Sequence, residues 1–443
     1  MNSLVLVLIS ILVLVLLIAK FKVNAFLSLL LVSLGLAMSL GNTGAEAVAM
    51  VTQGFGSTMA ACGIIIVLGV IIGYFLEKTG GAEKIAASVL RVTGQKKATL
   101  AMCVTGSLVS IPVFADSGFL ILFPIIKNLS RKAKVSFMAI CLGTVVCLAL
   151  THATIPPTPG PIAAAGILGA DLGKVILYGF LISISATAMI CFYATRVIAK
   201  KYPAYATETV EMTAEAEEAM AGQNTKGYST FKAYLPIVVP IILIIIQSVA
   251  GNALPAEHIL NRIFSFIGTP VIALLIGVAI VWVITKDYKV SERLTWLEKA
   301  MDSTAMVILI TCAGGAFGAV IKSSDIGSVI SSTLSHLPLP AIILPWLISA
   351  AIVSATGSTT VAMTTAAGVC APLLPALGIS PELCVAAIAA GGMCVLHVNS
   401  SMFWLVQRMC NFEVKDILKT IVPLSFFCSI AALAMTFVIS LFA

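Results

Sequence analysis

The sequence predicts an all-α polytopic membrane protein, with about ten transmembrane helices and two re-entrant hairpins set out as an inverted repeat. Three observations carry this prediction. Hydrophobic side chains make up 60% of the 443 residues and charged ones only 10%, with a mean hydropathy of +1.10. Soluble domains carry roughly a quarter charged residues, so a soluble protein is excluded. Basic residues cluster on alternate loops, and features of the first half recur in the same order in the second.

At about 20 apolar residues per crossing, the chain has room for ten or more spans. The first apolar run, Leu4 to Ala19, is preceded by no charge and followed by Lys20 and Lys22. That is the reverse of a signal peptide's charge order, so the run reads as a retained first span with its N-terminus outside. Span 2 covers about 24–40 and span 3 about 59–77. The loop that follows, with Lys78, Lys84, Arg91, Lys96 and Lys97, is cytoplasmic by its charge. The apolar stretch 98–126 has basic residues beyond both ends and is too short for two crossings. It is therefore read as a hairpin with its tip near Pro112 to Gly118, tolerated at membrane depth only where it is buried in protein or lines a watery cavity.

Span 4 (about 135–155) exits and span 5 (about 175–195) returns to a polar cytoplasmic linker, 196–233, holding Glu208, Glu211, Glu215, Glu217 and Glu218. The second half then places span 6 at 234–251, span 7 at 263–285 and span 8 at 303–321. A Pro- and Gly-rich hairpin over 340–375, entered from outside, comes next, followed by span 9 at about 383–405 and span 10 at 420–442. The chain thus divides into a first repeat (1–195), the linker (196–233) and a second repeat (234–443). In this topology every basic residue except Lys174, Arg262 and Lys322 faces the cytoplasm. The net charge of +7 therefore reports orientation in the lipid bilayer and implies no nucleic-acid partner. The cysteines sit in or beside apolar runs without a C-x-x-C pair, so no disulfide framework, metal site or cofactor is expected.

The repeat is visible in GVIIGYFLEKTGG (Gly69 to Gly81) and GGAFGAVIKSSDIG (Gly314 to Gly327), each with two glycines four apart and a charge, Glu77 or Lys322, four residues on. These two charges lie at membrane edges and read as anchors. Downstream, Ile111–Phe119 corresponds to Ser354–Met363, and Leu150–Pro161 to Leu396–Trp404. Span 3 runs inward and span 8 outward, so the copies are inverted, as in secondary transporters whose binding groups come from broken helices at the midplane.

Four segments offer such groups. Asp116 is the sole charge between Ala98 and Ile126, and a lone intramembrane carboxylate marks function by default. Thr356, Gly357, Ser358, Thr359 and Thr360 give hydroxyls and a pliable backbone, suited to a polyol or carboxylate but also to ordinary helix packing. His152 and His397 occupy matching points of the repeats, and histidine is the residue type whose ordinary titration range suits a proton-coupled cycle. Pro156, Pro157, Pro159 and Pro161 force span 4 to break.

The segments GVIIGYFLEKTGG, IPVFADSGF, THATIPPTPGP, TGSTTVAM and HVNSSMFW resemble the GntP family of gluconate and hydroxy-acid permeases over nearly the whole chain. The resemblance implies proton-coupled uptake of a small anionic hydroxy acid across the bacterial inner membrane by a homodimer, with no catalytic chemistry. It points to Ser117, Gly118, Thr154, Thr158, Thr356 to Thr360, Asn399 and Ser400 for substrate, and to Asp116, His152 and His397 for the proton. The gluconate-type pattern has H-V-N-D late in the chain where this sequence has His397-Val398-Asn399-Ser400. A D-serine permease of the same family, a sodium-coupled carrier using Thr154, Thr356 and Asn399, a passive channel, and an intramembrane hydrolase using Ser117 or Ser358 are the competing readings. The last has no G-x-S-x-G elbow.

Overall fold

In a bilayer the backbone must satisfy its own hydrogen bonds, and among the described residues the apolar runs are helical and no strand occurs. The computed structural model describes residues 3–93, 97–204, 229–253, 258–323 and 340–442. The acidic run Glu208 to Glu218, and with it Lys96, Glu257 and Asp325, lies outside the described residues.

Helices α1 (Ser3–Ala19) and α2 (Ala25–Ser39) pack on each other and lead to α3 (Gly44–Thr58). A capping box between Thr43 and Glu46 starts α3, so span 3 begins well before the apolar run expected at 59. It continues through a π turn, Met59–Gly63, into α4 (Ile64–Lys78). After the amphipathic α5 (Gly81–Thr93), α6 (Ala98–Val109) and α7 (Ala115–Ala133) form the first hairpin, with Pro112 in its tip. Then α8 (Phe137–Thr154) breaks at the proline cluster and resumes as α9 (Pro159–Leu168). This broken span is 94% buried, which makes it the centre of the fold. Helix α10 (Leu172–Tyr193) extends through a second π turn to Lys201, so the first residues of the expected linker are helical.

The second half opens with α11 (Thr230–Ala253), then α12 (Ile259–Ile267) and α13 (Pro270–Ile284). These last two are bent by 64° where Pro270 starts a new helix, so span 7 is a broken pair rather than one helix. Helix α14 (Val290–Lys322) is followed by a second hairpin, α15 (Ile343–Thr356) and α16 (Thr359–Cys370), within the expected 340–375. Span 9, expected as one helix, is instead α17 (Pro381–Gly391) and α18 (Ser401–Cys410), with residues 392–400 non-helical between them. Gly391, Gly392 and the Asn399-Ser400-Ser401 run loosen the helix there without any proline. Helix α19 (Val414–Ser440) ends the fold. Among the described residues seven helical stretches are long and apolar enough to cross a membrane, eight if the α12–α13 pair counts as one span, and shorter apolar helices such as α1, α2 and α17 accompany them.

The glycine pairs explain how the hairpins are seated. A methyl group on Gly69 would lie 2.6 Å from the Pro157 carbonyl oxygen, and one on Gly73 would collide with the Pro112 carbonyl oxygen. In the other half, a methyl on Gly314 would lie 3.2 Å from Thr364 O, and one on Gly318 would lie 2.7 Å from Gly368 O. Each pair thus lets backbone approach backbone, which larger residues prevent. Gly73→Ala is expected to destabilise the fold by about 1–3 kcal/mol, because the obstacle is a carbonyl rather than a flexible side chain. Fluorescence-detected size-exclusion thermostability checks it; an unchanged melting point would contradict this seating.

Outside the spans, Glu83 in the first turn of α5 is largely buried, and neither of its oxygens reaches a neighbouring residue's donor. Burial pushes its carboxyl up to about 7, with Glu77 adding to the effect and its own N–H and Lys84 opposing it. Folding therefore holds a proton that the unfolded chain releases near pH 4.5, so stability falls as the pH rises from about 5 to about 8. Glu83→Gln should flatten that slope, by at most about 3 kcal/mol at pH 8. Melting temperatures of both proteins across that range test it.

Candidate substrate-binding site

A cavity of about 370 Å³ opens where the two hairpin tips meet two of the broken spans, α8–α9 and α17–α18. Hairpin 1 contributes Phe114, Ala115 and Asp116, and α8 contributes Ala149 and His152. The tip of hairpin 2 contributes Thr356 to Thr360, and the break before α18 contributes Leu396 and Asn399 to Met402. Residues from more than two hundred positions apart in sequence share this wall because each break turns its backbone toward the same point.

Three helices begin at the cavity. Helix α7 starts after Phe114, whose side chain cannot cap it, and α18 starts after Ser400 without a side-chain cap bond. Only α16 is capped, by Ser358, whose Oγ accepts from the Val361 N–H at 3.3 Å. The first-turn N–H groups of α7 and α18 therefore have no side-chain cap, and the aligned peptide dipoles favour an anion at both starts. Gly357, with φ of +71°, makes the sharp turn between α15 and α16.

Among the described residues Asp116 is the only formally charged side chain lining the cavity, and no lysine or arginine joins it. Its Oδ2 accepts a hydrogen bond from Ser401 Oγ at 3.1 Å. The His152 ring lies against Phe114 with centroids 5.5 Å apart, and its buried Nδ1 has no hydrogen-bond partner. Among the described residues this nitrogen is an orphaned polar atom behind the cavity wall.

Asp116, His152, Thr356, Gly357, Ser358, Thr359, Thr360, Asn399 and Ser400 are thus brought together, whereas the other residues expected at the site lie elsewhere. Ser117 lies in the first turn of α7 outside the lining, and Gly118 packs against Leu148, where a methyl group would come within 2.8 Å. The Thr154 hydroxyl is buried against Ser183 Oγ at 2.7 Å and Leu150 O at 2.8 Å, tying α8 to α10. Thr158 sits at the start of α9 and donates to Ile155 O at 2.7 Å. It faces a small adjoining pocket that also touches Phe114 and His152. His397 is outside the lining; its Nε2 meets the Ser354 carbonyl at 2.9 Å, beside Asn399 Nδ2 at 2.7 Å from the same oxygen. The repeat-matched histidines therefore have different surroundings.

Ser401, Phe114 and Met402 line the cavity without having been expected there. For Ser401 the signal was available: it is the first residue after a polar break, the place where a half-helix offers its N-terminus.

Two hairpins and two of the broken spans meeting around a small cavity with hydroxyl and carboxylate groups in its wall, inside an apolar helical body, define a membrane transport protein. The chain belongs to the GntP family of permeases, whose family model, described as GntP family permease, matches residues 2–442. It is 34% identical over 412 residues to a permease of Haemophilus influenzae, covering 90% of this chain and 84% of that one. It is 30% identical to a gluconate permease of Pseudomonas aeruginosa, covering 95% of this chain and 94% of the relative, and 31% identical, with the same coverage, to the D-serine transporter DsdX of Escherichia coli K12. In fold it is similar to the YdaH transporter of Alcanivorax borkumensis, with a TM-score of 0.68 at 17% identity over 94% of this chain and 98% of that one. The protein is a multi-pass membrane permease.

Proposed function

We propose that this permease takes up a small hydroxy-carboxylate such as gluconate or a related sugar acid by proton symport, as a homodimer in the bacterial cell inner membrane. The observation that carries the reading is the convergence of three helix N-termini and the Thr356–Thr360 hydroxyls on a cavity whose one charge is a carboxylate. The free N–H groups hold the substrate carboxylate, and the threonine and serine hydroxyls take its hydroxyl groups. Asp116 binds the coupling proton, because an ionised carboxylate beside a bound anion is costly and a neutral one is not. His152, whose ring lines the cavity wall beside Phe114, is the second group of the proposed proton path. His397, held to a backbone carbonyl, serves the cycle by position. The two halves, 1–195 and 234–443, act as inverted repeats joined by the cytoplasmic linker 196–233, and alternate the cavity's access between the two faces. No bond-making step is part of the cycle: Ser358 Oγ is engaged by the Val361 N–H rather than by an imidazole.

A second reading has its own support. A cavity with a carboxylate and no cation also suits a zwitterion, whose ammonium pairs with Asp116, and a relative of this chain is named a D-serine transporter. Thermal shifts of the purified protein with gluconate, glycerate, 3-hydroxybutyrate and D-serine separate the two. A ligand at about 100 times its Kd adds about 2.7 kcal/mol of stability. Stabilisation by the hydroxy acids alone supports the first reading, by D-serine alone the second, and by none of them contradicts both.

A further inference from the structure

We infer that the turn His397–Ser401 couples the two hairpins, with Ser401 as the positioning residue that passes the charge state of Asp116 to the tip of hairpin 2. The inference takes its purpose from the permease reading above, but its test does not depend on that reading.

The turn is attached at both ends. At one end Ser401 Oγ donates to Asp116 Oδ2 at 3.1 Å, joining α18 to hairpin 1. At the other, His397 Nε2 and Asn399 Nδ2 both reach the Ser354 carbonyl, at 2.9 and 2.7 Å, in the last turn of α15. Gly357 at the tip lies so close to the Asn399 backbone that a methyl group there would collide with it. In between, the turn is tied to itself and to α18. The Ser400 N–H donates to His397 O at 2.9 Å, the Phe403 N–H to Ser400 O at 3.2 Å, and Trp404 Nε1 to Val398 O at 2.7 Å. Five residues braced in this way move as one piece, so a shift at Ser401 is felt at Ser354 and Gly357.

The switch is a hydrogen bond whose strength depends on charge. An ionised Asp116 accepts from Ser401, and such charge-assisted bonds are roughly twice as strong as neutral ones. A neutral Asp116 still accepts through its carbonyl oxygen but only as a neutral partner, so the bond weakens and the turn is held less firmly to hairpin 1. Of the elements packed against α7, α8 presents His152 to the same cavity, and α6 has no acid or base apart from Cys103. Helix α18 carries Arg408 and Cys410, α8 also carries Cys141 and Cys147, and α5 carries Glu83, Lys84 and Arg91, none of which lines the cavity. His397 is the titratable group within the turn itself. Asp116 is therefore the charged group whose state the turn can read directly.

The test is amide hydrogen exchange of residues 354–361 in the purified full-length protein, comparing wild type, Asp116→Asn, Ser401→Ala and the double variant. Asp116→Asn stands in for the neutral carboxyl and is expected to change exchange at the tip by about three- to tenfold, the size of coupling carried through packed networks. In the Ser401→Ala background the same substitution is expected to change it less than about twofold, and Ser401→Thr, which keeps the hydroxyl, restores the full response. Unaltered exchange in α3 serves as the folding control. The inference is overturned if Asp116→Asn acts equally with and without the Ser401 hydroxyl, or leaves the tip unchanged. Uptake assays are read separately, so a protein that transports none of the proposed acids contradicts the permease reading and leaves the exchange result to stand.

Discussion

Asp116→Asn is expected to lower proton-driven accumulation by about 100-fold, near the upper end of site-to-site coupling free energies, while substrate-for-substrate exchange persists. Among the described residues Asp116 is the one charged group in the cavity wall, with Ser401 as its side-chain partner and no cation in the lining to hold it ionised. A permanently neutral amide fills the same space and still faces the substrate, so binding and carrier movement survive. What it removes is the ability to arrive with a proton and leave without one. Counterflow and gradient-driven uptake, measured on the same proteoliposomes, separate these functions. Equal loss of both would mean that Asp116 builds the site rather than coupling it.

Gly357→Ala is expected to cost more than tenfold in transport rate, with a destabilisation of about 1–3 kcal/mol localised to hairpin 2. Two effects add at this position. The backbone has φ of +71°, which L side chains rarely adopt, and the added methyl group would strike the Asn399 backbone. Either relief moves the Thr356–Thr360 hydroxyls relative to the start of α18, and a displacement of about 1 Å at a reacting or binding geometry is already expensive. Initial uptake rates and tryptic cleavage within residues 354–361 report on the two parts. An alanine variant with wild-type kinetics would show that the tip does not need this turn.

Much of this architecture was legible because membranes narrow the choices. Composition, the distribution of lysine and arginine, and the prolines at 156–161 are each dictated by solvation or sterics, and from them follow the hairpins and the broken central span. The break between α17 and α18 was hidden because it uses glycines and short polar residues instead of proline, and these also occur inside packed helices. The same ambiguity explains the site. Asp116, His152 and the Thr356–Thr360 run converge as the matching features of the two halves suggested. Their sequence neighbours Gly118 and Thr154 are turned into packing, since successive helical residues point about 100° apart. A sequence states that a threonine is present near a break, but only the fold decides whether its hydroxyl meets the cavity or, as with Thr154, another helix. His397 shows this most clearly: the sequence reading pairs it with His152, yet one ring lines the cavity and the other braces a hairpin.

The most direct test of the central claim is uptake of labelled gluconate, glycerate, 3-hydroxybutyrate and D-serine into proteoliposomes. An inward proton gradient is imposed in one set and an inward sodium gradient in another. The account predicts accumulation of a hydroxy acid above its external concentration with the proton gradient alone, abolished by a protonophore. Accumulation driven by sodium alone, or mere equilibration under both gradients, would contradict it.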